Sequence, residues 1–251
     1  MTVLTSRRAA VAAAAAVVVA VLPAASARAA GPSSAPSPSG SAARTAACVA
    51  HVQVQSAGQV ARRMTTLSDL TSQVNAAVGL TDAHRQLLLG TISSDTTGLT
   101  SLGATIAGLP AGTTCATAVS DAHQIASSFR VYLLLVPQAH ITMAADRGLT
   151  AASALSGVEA TLASAIDAEA AAGKDVTALR EQDAILVAQA KVATTDFTGL
   201  GDAALAVTPA SFNADPSTFA TMVTTGRAGI AALRAASSAG RQLAAGLRAL
   251  A

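Results

Sequence analysis

The chain has 251 residues, 51% of them hydrophobic and 12% charged, but only 2% aromatic and no tryptophan, which favours slim helices in close contact over a wide cavity walled by large rings. Its 16 basic and 14 acidic residues give a formal charge of +2. Arg7, Arg8 and Arg28 fall in a predicted export signal; without them thirteen bases face fourteen acids, a net of −1, which excludes the basic composition of a general nucleic-acid binder.

Residues 1–29 carry the marks of a signal peptide: Arg7-Arg8 as a basic start, an Ala/Val run, Pro23, and small residues up to Ala29 for cleavage. Residues 30–46, rich in Pro, Ser, Gly and Ala, offer little to bury and read as a flexible linker. The helical domain is expected at 47–251. Thr96 to Ser120, the longest other uncharged run, is broken by Pro110, so no transmembrane span is predicted once the signal is removed.

Val60, Met64, Leu67, Thr71, Val74 and Val78 step by four and three along a first helix that Gly79 ends. Thr81 and Asp82 open a second, whose stripe is Leu88, Ile92, Leu99, Leu102 and Ile106, with Asp95 at the missing step. Two helices of about 33 and 27 residues reach ~50 and ~40 Å, so an antiparallel hairpin returns Cys115 to Cys48 and predicts one disulfide in an oxidising compartment. A third helix is expected from about Ala116 to Val136 and a fourth from about Gln138 to Ala172. Pro137 marks a kink or reversal between them, because it lacks a donor and crowds the Leu133 carbonyl.

A fifth helix starts at Asp175 and is expected to run through Leu179, Leu186, Ala190, Ala193, Phe197, Leu200 and Ala204, interrupted by Asp183. Asp215 and Pro216 then cap and open a last helix through Phe219, Met222, Leu233, Leu243 and Leu250. The expected fold is an all-α antiparallel bundle of about six helices, with 47–136 and 137–251 as candidate three-helix sub-bundles joined at Pro137. In its alanine content, its preference for Arg over Lys and its helical rhythm, the stretch from Cys48 to Leu250 resembles uncharacterised secreted helical-bundle proteins of high-GC bacteria. That resemblance implies export and a helical fold, and no particular activity.

Two places gather residues able to recognise a ligand. Arg227, Arg234, Arg241 and Arg248 repeat every seven residues, which keeps them on one ridge of the last helix, and no acidic residue follows Asp215. As a contact surface this stripe suits an acidic protein or an anionic cell-envelope component. The bland alternative is pairing with acids of the preceding helices: Asp167, Glu169, Glu181, Asp183, Asp196 and Asp202. The second place is the Pro137 joint, where Arg130, Tyr132, His140 and Asp146 would form a small-ligand pocket if the chain bends, and otherwise only flank a joint.

Asp82-Ala83-His84 and Asp121-Ala122-His123 repeat one pattern, yet positions two apart on a helix point away from each other, so local metal binding is not expected. Asp95 and Asp183 either roll outward or need a buried partner. The H-E-x-x-H, paired E-x-x-H, C-x-x-C-H, G-x-S-x-G and glycine-loop patterns are absent. The expectation is therefore an exported, non-enzymatic structural or interaction module at the cell envelope, with no cofactor; the alternative is a small-ligand-binding bundle with its pocket at Pro137.

Overall fold

Helical periodicity dominates the chain from the first described residue in a computed structural model that describes residues 38–250; the predicted signal peptide, 1–29, and linker residues 30–37 lie outside the described residues. Eight α-helices follow in order: α1 Pro38–Ala76, α2 Asp82–Ala107, α3 Cys115–Ser127, α4 Val136–Ala171, α5 Thr177–Phe197, α6 Leu200–Leu205, α7 Pro209–Ala214 and α8 Thr218–Leu250. A π turn, Val131–Leu135, leads directly into α4, and there is no strand among the described residues. The protein is an all-α helical bundle, its six longer helices packed against each other.

The linker expectation is corrected at its C-terminal end: residues 38–46 are the first turns of α1. Gly40 to Arg44 are exposed, so burial does not hold them. They extend a helix already nucleated downstream, and propagation costs far less than nucleation, especially through alanine.

The cap of α2 is the residue expected to open it, and the cap of α3 is one that the sequence pattern did not single out. Thr81 accepts a hydrogen bond from the His84 amide at 3.3 Å to start α2, and Thr114 one from the Thr117 amide at 3.1 Å to start α3. Gly79, at φ +82°, makes the turn from α1 to α2 that a residue with a Cβ would resist. Cys48 on α1 and Cys115 at the start of α3 stand at disulfide distance, with Cα atoms 5.7 Å apart.

The chain does not turn at Pro137. α3 stops at Ser127, Arg130 takes a left-handed φ of +36°, and the π turn begins at once. Within it the Val136 amide donates to the Val131 carbonyl, five residues back, and Pro137 then sits in the first turn of α4. The widened turn asks no amide hydrogen of Pro137 and eases its ring past the preceding carbonyls. The expected fifth helix is likewise two: it breaks after Phe197, and Gly199 at φ +71° starts α6. The segment after α6 holds α7 behind a Thr208/Ser211 capping box; Asp215 accepts from the Ser217 amide at 2.9 Å, but Pro216 lies in the turn and α8 opens at Thr218 rather than at the proline.

α1, α2 and α3 pack as one group, and α4, α5 and α8 as another. They share α4. Leu135 and Ala139 belong to the core of the first group, Ala145 and Ala152 to a middle core with Phe197, and Ile166 to a third with Leu186 and Leu243. Phe197 sits at two close approaches of the second group: a Cβ added at Gly148 of α4 would stand 2.4 Å from its ring, and one at Gly229 of α8 2.8 Å.

Candidate functional site

The four arginines of the last helix all face solvent along α8. Ion pairs among the described residues are His84 with Asp146 and Asp202, Lys174 with Glu169, and Arg180 with Asp167, so none of the stripe's guanidiniums has a carboxylate within 4.0 Å. Arg241 instead donates to the Ser237 hydroxyl at 2.8 Å, one turn back on its own helix.

Beside this stripe, α4 and α8 leave an open groove. One section, about 500 Å³, has Ala151, Ala154, Leu155 and Val158 of α4 on one wall and Ile230, Leu233, Arg234, Ser237 and Arg241 of α8 on the other. A second section, about 750 Å³, continues past Ala151, Ile230 and Leu233, which the two share, to Met143, Arg147, His140 and the end of α1 at Gln73 and Ala76. The floor is aliphatic apart from Phe197, and Arg147, Arg234 and Arg241 stand exposed along it. The shallow depth follows from small residues on both helices, which let the backbones approach but leave a trough outside. The run Cys115–Ala171, which takes in α3, the π turn and α4, also contains an 18-residue window of mean hydropathy 1.3, enough by length and composition to cross a membrane, of which only 11% is buried.

The residues expected at the Pro137 joint do not converge. Tyr132 is 45% exposed and lies under the Arg63 guanidinium, 5.2 Å from its ring centroid. Arg130 sits 5.9 Å from the Phe212 ring centroid. His140 reaches Gln73 at 3.3 Å and is the only one of the four that lines the groove. Asp146 is buried on another side of α4. A separate cleft of about 270 Å³ does adjoin the π turn, but its lining is Leu134, Leu135, Gln138, Phe129 and Asp95. Burial there pushes the Asp95 carboxyl up to about 6. Asp183, the other interruption, keeps one buried carboxylate oxygen without a hydrogen-bond partner.

Asp146 belongs to a cluster that local spacing hides. His84, from the first turn of α2, places Nδ1 2.9 Å from Asp146 on α4 and Nε2 3.0 Å from Asp202 on α6. The Thr81 amide also donates to Asp146, at 2.8 Å. Burial pulls the His84 pKa down, but hydrogen bonds to Asp202 and Asp146, reinforced by their charges, outweigh it and hold the imidazole above its usual value. With both ring nitrogens engaged, His84 has no free lone pair to serve as a general base, and it acts as a staple of three helices. No group of three or more metal-ligating side chains suited to an ion occurs among the described residues.

No protein-family profile matches the chain, and neither a curated protein nor a solved structure shows significant similarity to it. The groove and its arginines therefore stand on their own chemistry.

Proposed function

We propose that this protein is an exported, non-enzymatic interaction module that works at or outside the cell envelope and makes its contact through the arginine face of α8. The observation that carries this reading is the unpaired state of Arg227, Arg234, Arg241 and Arg248: four exposed cations on one ridge, with no carboxylate of the described chain within 4.0 Å. A stripe left unneutralised by its own fold is available to an anionic partner. The disulfide-distance pair Cys48 and Cys115 supports an oxidising destination, as expected of exported chains.

The test replaces Arg234 and Arg241 together by Glu in the secreted protein. Retention in the host's envelope fraction, and sedimentation with phosphatidylglycerol-containing vesicles, should both fall and become insensitive to salt, while the helical circular dichroism stays unchanged. Undiminished retention in the charge-reversed variant overturns the proposal.

A further inference from the structure

We infer that the α4–α8 groove binds a single-chain anionic amphiphile, a free long-chain carboxylate, with its hydrocarbon along the groove floor and its head group on Arg234 and Arg241. This deepens the reading of the arginine face as the contact surface, and rests on it.

Three observations lead to this chemistry. The groove is long: its α4 wall runs from His140 to Val158, nineteen residues of unbroken helix that rise about 27 Å. A trough of that length between two packed helices fits an extended chain, whereas a partner helix needs a broader face. Its floor offers the chain what it needs and little else. Ala151 and Leu155 of α4 and Ile230 and Leu233 of α8 line it with hydrocarbon. Ile230 is 38% exposed and Val158 50%, so water is displaced from real apolar surface when the trough fills.

Charge decides the sign of the head group. The charged groups lining the two sections are Arg147, Arg234 and Arg241, with His140 at the wide end, and no carboxylate lines either section. The nearest acid of α4 along the chain toward its C-terminal end, Glu159, lines a different cleft with Lys191. Asp146 is turned to His84. A neutral lipid leaves the guanidiniums unused and a cationic one is repelled; a carboxylate completes them with charge-assisted hydrogen bonds.

The test titrates the full secreted protein with a fluorescent fatty acid, 11-(dansylamino)undecanoate, below its micellar concentration, and displaces it with palmitate. Saturable binding at one site, displaced by palmitate and not by hexadecanol, is the expected result. Ala154→Trp fills the groove from an exposed position and should weaken binding by about tenfold or more while leaving sedimentation with phosphatidylglycerol vesicles intact. Absence of saturable binding, equal displacement by hexadecanol, or unchanged affinity in Ala154→Trp overturns the inference. The two proposals fail separately. If charge reversal at Arg234 and Arg241 abolishes vesicle and envelope binding but palmitate never binds, the amphiphile is refuted and the interaction face stands. If palmitate binds in the groove and the reversed variant keeps full envelope retention, the interaction face falls.

Discussion

Replacing Cys48 and Cys115 together by Ala removes a crosslink that spans 67 residues of sequence and ties α1 to the start of α3. For a loop of that length the chain-entropy estimate is about 15 cal/mol/K, or about 4.4 kcal/mol at 25 °C, gained by the unfolded chain when it is released. Both cysteines are half-exposed, so deleting their sulfurs opens no core cavity and adds little to this figure. Residual helix in the denatured α1–α2 hairpin shortens the effective loop, which makes ~3 kcal/mol the more realistic loss. That is about a hundredfold in the folding equilibrium. Urea unfolding followed by far-ultraviolet circular dichroism measures it. The double variant should show a lower midpoint together with a steeper denaturant slope, because its unfolded state exposes more surface. A loss below about 1 kcal/mol, with the parent's bond shown intact by mass, would refute the reasoning, since a closed loop of this length cannot contribute so little unless the unfolded chain is already as constrained.

Three further outcomes are expected. The raised pKa of His84 means that the folded chain keeps a proton the unfolded chain releases near pH 6.5, so the staple's contribution is complete below that value and is lost as pH rises through the folded pKa. His84→Asn should abolish that alkaline loss in thermal melts, and a persistent slope in the variant would remove His84 as its source. Asp95, with its carboxyl up at about 6, acts in a related way: stability declines as pH climbs from about 4 to 6 and stays lower above, and Asp95→Asn should recover about 1 kcal/mol at neutral pH after solvent screening of this half-buried group. Urea midpoints of the two proteins that coincide at neutral pH would contradict this. Gly148→Ala sets a Cβ 2.4 Å from the Phe197 ring and should destabilise by about 1 to 3 kcal/mol, and Phe197→Leu in the same chain should return part of that loss if the ring is the obstacle.

Most of the helical architecture is written in local spacing. Leu88, Ile92, Leu99 and Ile106 repeat at helical intervals, and each is at most 3% exposed. The heptad of arginines places four cations on a face that the structure leaves open. What escapes the sequence is non-local or smaller than a helical period. The π turn adds one residue to a turn, a shift that the apolar rhythm of Val131–Leu135 cannot register. The His84 cluster joins residues 62 and 118 positions apart; two-apart spacing speaks only to an Asp82–His84 pair and says nothing of Asp146 or Asp202. The groove depends on how closely α4 and α8 approach, which Gly148, Gly229 and Phe197 decide together. Gly199 is a visible breaker in the fifth helix, and the apolar stripe that continues through Leu200 and Ala204 masks it.

α4 is a member of every core, with Ala139, Ala145 and Ile166 each 2% exposed or less in a different one. Between Ala139 and Ala152, where its burial is densest, this helix gains protection from more than one core at once. Amide hydrogen exchange should therefore find the segment from Ala139 to Ala152 among the slowest in the chain, opening only when the whole fold opens, while the exposed start of α1 at 40–44 exchanges within the dead time. Protease nicking follows the same order: cleavage at the exposed start of α1 trims the protein, and cleavage of α4 between Ala139 and Ala152 should wait for a molecule that has opened globally.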